Sequence, residues 1–87
     1  MTMNMNNNFS TDEHFSSSDL ALVTTLSLFF PIEAVDRVRP NKSFFLFKRQ
    51  EQLDRLVEQY WRGEIRVEPQ AYFAQLKTIK VRLYSSN

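Results

Sequence analysis

The chain has 87 residues, a formal net charge of +1, no Cys, one His and one Gly. That length supports one small domain, and the composition excludes a disulfide framework, a Cys-based zinc site and a glycine-rich phosphate loop. Eight Phe, three Tyr and one Trp are the natural core material, because each ring removes more apolar area from water than Val or Ala does.

Residues 1–14 read as a disordered, Asn-rich tail, with too little apolar surface to offset the entropy of ordering. They lack the basic flank and apolar run of a signal peptide. Residues 15–85 read as a single α+β domain. Up to Leu20 there are three acids, Asp12, Glu13 and Asp19, and no Lys or Arg. All eleven Lys and Arg follow, against seven acids, so the chain from Leu20 onward carries an excess of four positive charges. The segment 20–32 leans apolar, but Thr24, Thr25 and Ser27 interrupt it and it is too short to cross a bilayer. A soluble, cytoplasmic protein is expected.

Ser16-Ser17-Ser18-Asp19 predicts a capping box, with Ser16 at the N-cap, Asp19 at N3, and Phe15 and Leu20 as a hydrophobic staple. Leu22, Val23, Leu26, Phe29 and Phe30 continue an apolar helical face as far as Pro31, which stops it. Residues 32–38 and 43–47 predict two strands around Arg39-Pro40-Asn41-Lys42, a type I turn pattern. In the second strand Phe45 and Phe47 share one face and Phe44 and Leu46 the other, with helices covering one side. Residues 51–61 predict an amphipathic helix on Leu53, Leu56, Val57 and Tyr60, ended by a left-handed Gly63. Ile65 and Val67 dock the link to a last helix, which Pro69 opens and whose apolar line is Tyr72, Leu76, Ile79 and Leu83. The predicted architecture is a small two-layer α+β domain of order α-β-β-α-α, an antiparallel hairpin packed against helices.

Phe15-Ser16-Ser17-Ser18-Asp19-Leu20-Ala21-Leu22, Phe45-Leu46-Phe47 and Tyr60-Trp61-Arg62-Gly63-Glu64-Ile65-Arg66-Val67-Glu68-Pro69, with Tyr72, Leu76, Lys77 and Leu83, resemble a family of small bacterial, archaeal and phage-associated proteins catalogued as domain of unknown function 5659. The resemblance spans residues 15–84. The chain departs from the pattern at Phe29-Phe30-Pro31, where the family has a Gly-containing turn. The resemblance implies a compact α+β domain often found among mobile-element genes. It implies no activity, cofactor or catalytic residue.

The residues themselves favour no catalysis. Cys nucleophiles are absent, and the sole His, His14, falls in the tail, where nothing would hold it within hydrogen-bond reach of a proton. A serine triad would need that same His. Carboxylates at 54 and 58 share a helix face, but neighbouring Arg55 and Arg62 are their expected partners, and Ca²⁺ needs more oxygens from an organised loop. No enzyme, cofactor or metal is expected.

Two basic clusters remain. The first is Arg37, Arg39 and Lys42 around the hairpin, with Lys48 and Arg49 at the strand end; phosphates would answer such charge by counterion release. The second is Phe73, Lys77, Lys80 and Tyr84 along one side of the last helix, with Arg82 elsewhere. Rings beside cations suit stacked bases and a phosphate backbone. Against this, Lys and Arg on a helix flank ordinarily serve solubility, and Phe73 and Tyr84 can simply widen the core. A helix-turn-helix fits poorly, since the link after Gly63 is longer than its usual turn. The reading is a non-catalytic accessory binding protein whose partner is DNA or RNA. The alternative is a protein-interaction adaptor or homodimer using Trp61, Phe44 and Leu46. Neither a membrane nor a small-molecule substrate is expected as a partner.

Overall fold

A run of four bulky apolar residues in an extended segment must bury at least one of its two faces. In the computed structural model, which describes residues 8–11, 13–39 and 42–84 (backbone only for 8–10, 38 and 39), that run is the central strand. The elements are β1 (Asn8–Ser10), β2 (His14–Ser17), α1 (Leu20–Ser27), β3 (Ala34–Arg39), β4 (Lys42–Lys48), α2 (Glu51–Trp61) and α3 (Pro69–Tyr84). All strand pairs are antiparallel and the sheet order is β1-β2-β4-β3. The fold is α+β as expected, with two strands at its start that the sequence pattern did not announce.

Register decides which residues meet the helices. Phe15 pairs with Phe47, and Ser17 and Val35 both pair with Phe45, so these five share one face. Phe15, Phe45 and Phe47 are buried there with Leu22, Val23 and Leu26 of α1, Leu53 of α2 and Ile79 of α3. The opposite face carries His14, Ser16, Ala34, Asp36, Phe44, Leu46 and Lys48, none of them buried. α1 lies against β2, α2 and α3. Its residues 22–26 are all buried, and the hydroxyls of Thr24 and Thr25 donate back to the carbonyls of Leu20 and Ala21, both at 2.8 Å. That bonding lets a short helix bury two threonines without orphaned polar groups.

The start of the chain differs most from expectation. Phe15, Ser16 and Ser17 belong to β2, so Ser16 is not a cap and Phe15 is not a staple. Asp19 is the N-cap, and its carboxylate accepts from the Leu22 N–H at 3.2 Å. The buried Ser17 hydroxyl accepts from the Asp19 N–H at 3.0 Å. The competing force is the bare edge of β4: pairing Ser16 opposite Leu46 satisfies ladder groups that a cap at Ser16 would leave open. Within the expected tail, Asn8–Ser10 forms β1 and His14 opens β2; residues 1–7 lie outside the described residues. The β1–β2 turn is held locally by Thr11, whose hydroxyl accepts from the His14 N–H at 3.0 Å.

α1 ends at Ser27, earlier than Pro31 requires, with residues 28–30 in a turn. β3 begins at Ala34 rather than 32, and the turn residues Pro40 and Asn41 lie outside the described residues. α2 ends as its sequence predicts. Gly63 has φ +73°, and the N–H groups of Gly63 and Glu64 donate to the carbonyls of Tyr60 and Gln59, both at 3.0 Å, which completes a Schellman motif. α3 is opened by Pro69, with the Glu68 carboxylate accepting from the Ala71 N–H at 2.7 Å.

Two predictions follow from this packing. Phe45→Ala is expected to cost about 3–5 kcal/mol in a denaturant titration, and Phe44→Ala on the uncovered face clearly less; equal losses would contradict the assignment of faces. Tyr60 sits between the start of α1 and α3, where burial first, then the Asp19 charge and Tyr72, raise its phenol above the ordinary value near 10. The folded state therefore holds this proton more firmly than the unfolded chain. The stability it contributes is complete below about pH 10 and is lost as the pH climbs through the raised value. Thermal melts between neutral and strongly alkaline pH should show a shallower loss for Tyr60→Phe than for the native chain.

Candidate nucleic-acid interface

α3 presents two unlike faces. Steps of about 100° per residue put Tyr72, Leu76, Ile79 and Leu83 on the core side, where Ile79 is buried and the other three half-buried. Gln75, also on that side, donates from Nε2 to the Ser27 hydroxyl at 2.9 Å and ties α3 to α1. The same steps gather Phe73, Lys77, Lys80, Val81 and Tyr84 within an arc of about 100° on the other side. All five are exposed; Phe73, Val81 and Tyr84 are 57%, 72% and 75% accessible. These rings do not widen the core, since they face water. The Lys77 ammonium lies 4.8 Å from the Phe73 ring centroid, a cation–π pair already formed. Val81, which the sequence reading did not select, completes this face; its position four residues after Lys77 was the available signal.

Charge is segregated between the two long helices. Every acid of α2 has a guanidinium beside it: Asp54 with Arg49 at 2.9 Å, Glu51 with Arg55 at 2.8 Å, and Glu58 with Arg62 at 4.0 Å. Asp54 thus pairs with Arg49 rather than with Arg55. α3 contains Lys77, Lys80 and Arg82 and no acid. Among the described residues no carboxylate lies within 4.0 Å of any of these three.

The hairpin cluster does not stay together. Arg37 points across the sheet edge to the end of α3, donating to the carbonyls of Leu83 at 3.0 Å and Arg82 at 2.7 Å and to the Ser43 hydroxyl at 3.4 Å. It satisfies carbonyls that the last turn leaves without partners, and its charge suits the negative end of the helix. Arg49 bonds both oxygens of Asp54, at 2.9 and 3.2 Å, and also the Thr11 carbonyl, while its backbone N–H donates to Glu13. Arg37 and Arg49 thus spend these donors on joining segments of the fold. Lys48 is exposed and shares an open, shallow cleft with Glu13, His14, Glu33 and Arg49, where two acids offset its charge. Lys42 is exposed and pairs in register with Arg39, whose backbone alone is described. Arg37 brings that end of the hairpin beside the last turn of α3, but Lys42, two residues before Phe44, belongs by alternation to the sheet face away from the helices, and Lys48 stands at the far end of β4, about 20 Å along the strand.

The interaction candidates are dispersed as well. Phe44 and Leu46 are half-buried on the uncovered sheet face. Trp61 ends α2, 55% exposed, with Tyr60 edge-on at 5.0 Å between centroids. His14 is a half-buried strand residue rather than a tail residue, with Nε2 3.9 Å from a Glu33 carboxylate oxygen. Among the described residues no three His, Asp or Glu are grouped to hold a metal ion, and no helix is long and apolar enough to cross a membrane.

Arg37→Ala is expected to speed hydrogen exchange at amides 81–84 and leave amides 72–76 as they are; unchanged exchange at 81–84 would show that its bonds to α3 are dispensable.

The sequence profile of a family described as domain of unknown function (DUF5659) matches residues 12–85. No curated protein and no solved structure matches the chain.

Proposed function

Because the chain belongs to the DUF5659 family, whose description assigns no activity, we propose from its surface that it is a non-catalytic binding protein for nucleic acid and that α3 supplies the contact. The observation that carries this reading is the charge segregation. Guanidinium groups neutralise the acids of α2, while the three cations of α3 stand without carboxylates among the described residues, two of them, Lys77 and Lys80, beside Phe73, Val81 and Tyr84. Cations without internal partners keep their counterions in the free protein, and a phosphodiester chain releases those counterions on binding. On this reading the protein works in the cytoplasm, where nucleic acid is met.

With so few phosphate contacts the affinity should be modest, with Kd on the order of 10–100 µM at about 20 mM salt. Fluorescence anisotropy of a labelled oligonucleotide tests it. Lys77→Glu with Lys80→Glu should weaken binding by about tenfold or more, whereas Lys48→Glu at the far end of β4 should change it by less than about twofold. Absence of binding at that salt overturns the reading and favours the alternative, a protein partner or second copy on the sheet face of Phe44 and Leu46 or at Trp61.

A further inference from the structure

We infer that the ligand of α3 is a single strand bound by stacking, not a duplex read in its groove; this rests on the nucleic-acid reading above. The outer face of α3 carries an aromatic ring near each end, Phe73 and Tyr84, both more than half exposed. Eleven residues separate them, about 16 Å along the helix axis. Lys77 and Lys80 lie between the rings, with Val81 as apolar filler. A strand following this line would lay one base on each ring and pass its phosphates over the two ammonium groups. With bases stacked about 3.4 Å apart per strand, the stripe spans about five nucleotides.

A duplex has no use for this pattern. Its bases show their ring faces only to one another, and opening a step costs a few kcal/mol. Groove reading instead needs Arg, Asn or Gln aimed at base edges, from the first turns of a recognition helix. The first turns of α3 hold Pro69, Gln70, Ala71 and Ala74, and its cations begin only at Lys77. Gln70 is the one amide on the outer side, and Arg82 projects away from it. Rings and lysines together give affinity without sequence choice, because every base offers a π face.

The Lys77–Phe73 contact sharpens the assignment. With the ammonium 4.8 Å from the ring centroid, charge and ring are adjacent before any ligand arrives. One nucleotide can then give its base to the ring and its phosphate to the lysine. Phosphate contacts limited to Lys77 and Lys80 set the salt response: for a single strand, log K should fall against log salt with a slope of about −1.4.

The test is anisotropy at low salt with three probes: fluorescein-labelled oligothymidylate of about twelve nucleotides, a duplex of the same length, and inorganic polyphosphate as an unlabelled competitor without bases. The strand should bind at least about fivefold more tightly than the duplex, and a length series should stop gaining affinity beyond about six nucleotides. Phe73→Ala with Tyr84→Ala should bring the strand down to the level of the duplex without altering competition by polyphosphate; both side chains face water, so circular dichroism should show the fold retained. If the duplex binds as well as the strand, or the double variant loses nothing, stacking is overturned while the nucleic-acid reading stands. If neither nucleic acid binds, both fall together.

Discussion

Burial of Phe45 and Phe47 from a single strand is the constraint on which the other elements depend. Both rings are buried, and they point to the same side of β4. The helices must therefore gather on that side, and α1 brings Leu22, Val23 and Leu26 against the rings while α2 and α3 add Leu53 and Ile79. A strand so apolar cannot stand at a sheet edge, since an open ladder beside it would pair with whatever chain arrives. β3 covers one of its edges and β2 the other. The sheet edges are then moved outward to short or irregular strands: β1 has three residues, and β3 breaks register between Asp36 and Arg39.

Arginine closes what the hydrophobic core leaves open. Arg49 joins three otherwise separate pieces, the β1–β2 turn, the end of β4 and the first turn of α2. Arg37 does the same between β3 and the last turn of α3. A guanidinium suits both places because its five donors lie in a fixed plane and can meet carbonyl and carboxylate oxygens together. The consequence for function is subtractive. Two of the five cations that make the hairpin look basic in sequence hold the fold together, and among the described residues the cations of α3 stand without carboxylates.

α3 also shows how one helix serves packing and surface at once. Its core line is narrow, with only Ile79 fully buried, because α1 and the sheet edge occupy one side of it. The opposite side is free to carry Phe73, Val81 and Tyr84. In a helix that answered to packing alone, solvent positions would favour residues that bury nothing polar and expose nothing apolar. Three large exposed apolar residues beside two lysines depart from that pattern in one place, on one face.

Local chemistry was sufficient for the second half of the chain. The Leu53, Leu56, Val57 and Tyr60 stripe, the left-handed Gly63, and Pro69 at a helix start act within a few residues of themselves, so α2, its Schellman end and the opening of α3 are legible from order and spacing. The same holds for the alternation of Phe44 to Phe47 and for the helical line from Phe73 to Tyr84. The first third was misleading because its strands are weak formers: His-Phe-Ser-Ser becomes a strand because β4, thirty residues later, offers it an edge, Asn-Phe-Ser then pairs with that strand, and the pairing outweighs the capping signal at Ser16. Distance in sequence likewise hid the partners of Arg37 and Arg49, which lie at Arg82, Leu83 and Thr11. The sequence by itself determined which residues seek burial, how α2 ends and where α3 begins, since those are short-range preferences of the chain. Only the tertiary structure decided which cations remain for a partner, because ion pairs and helix-end bonds form between segments that folding alone brings within a few ångströms.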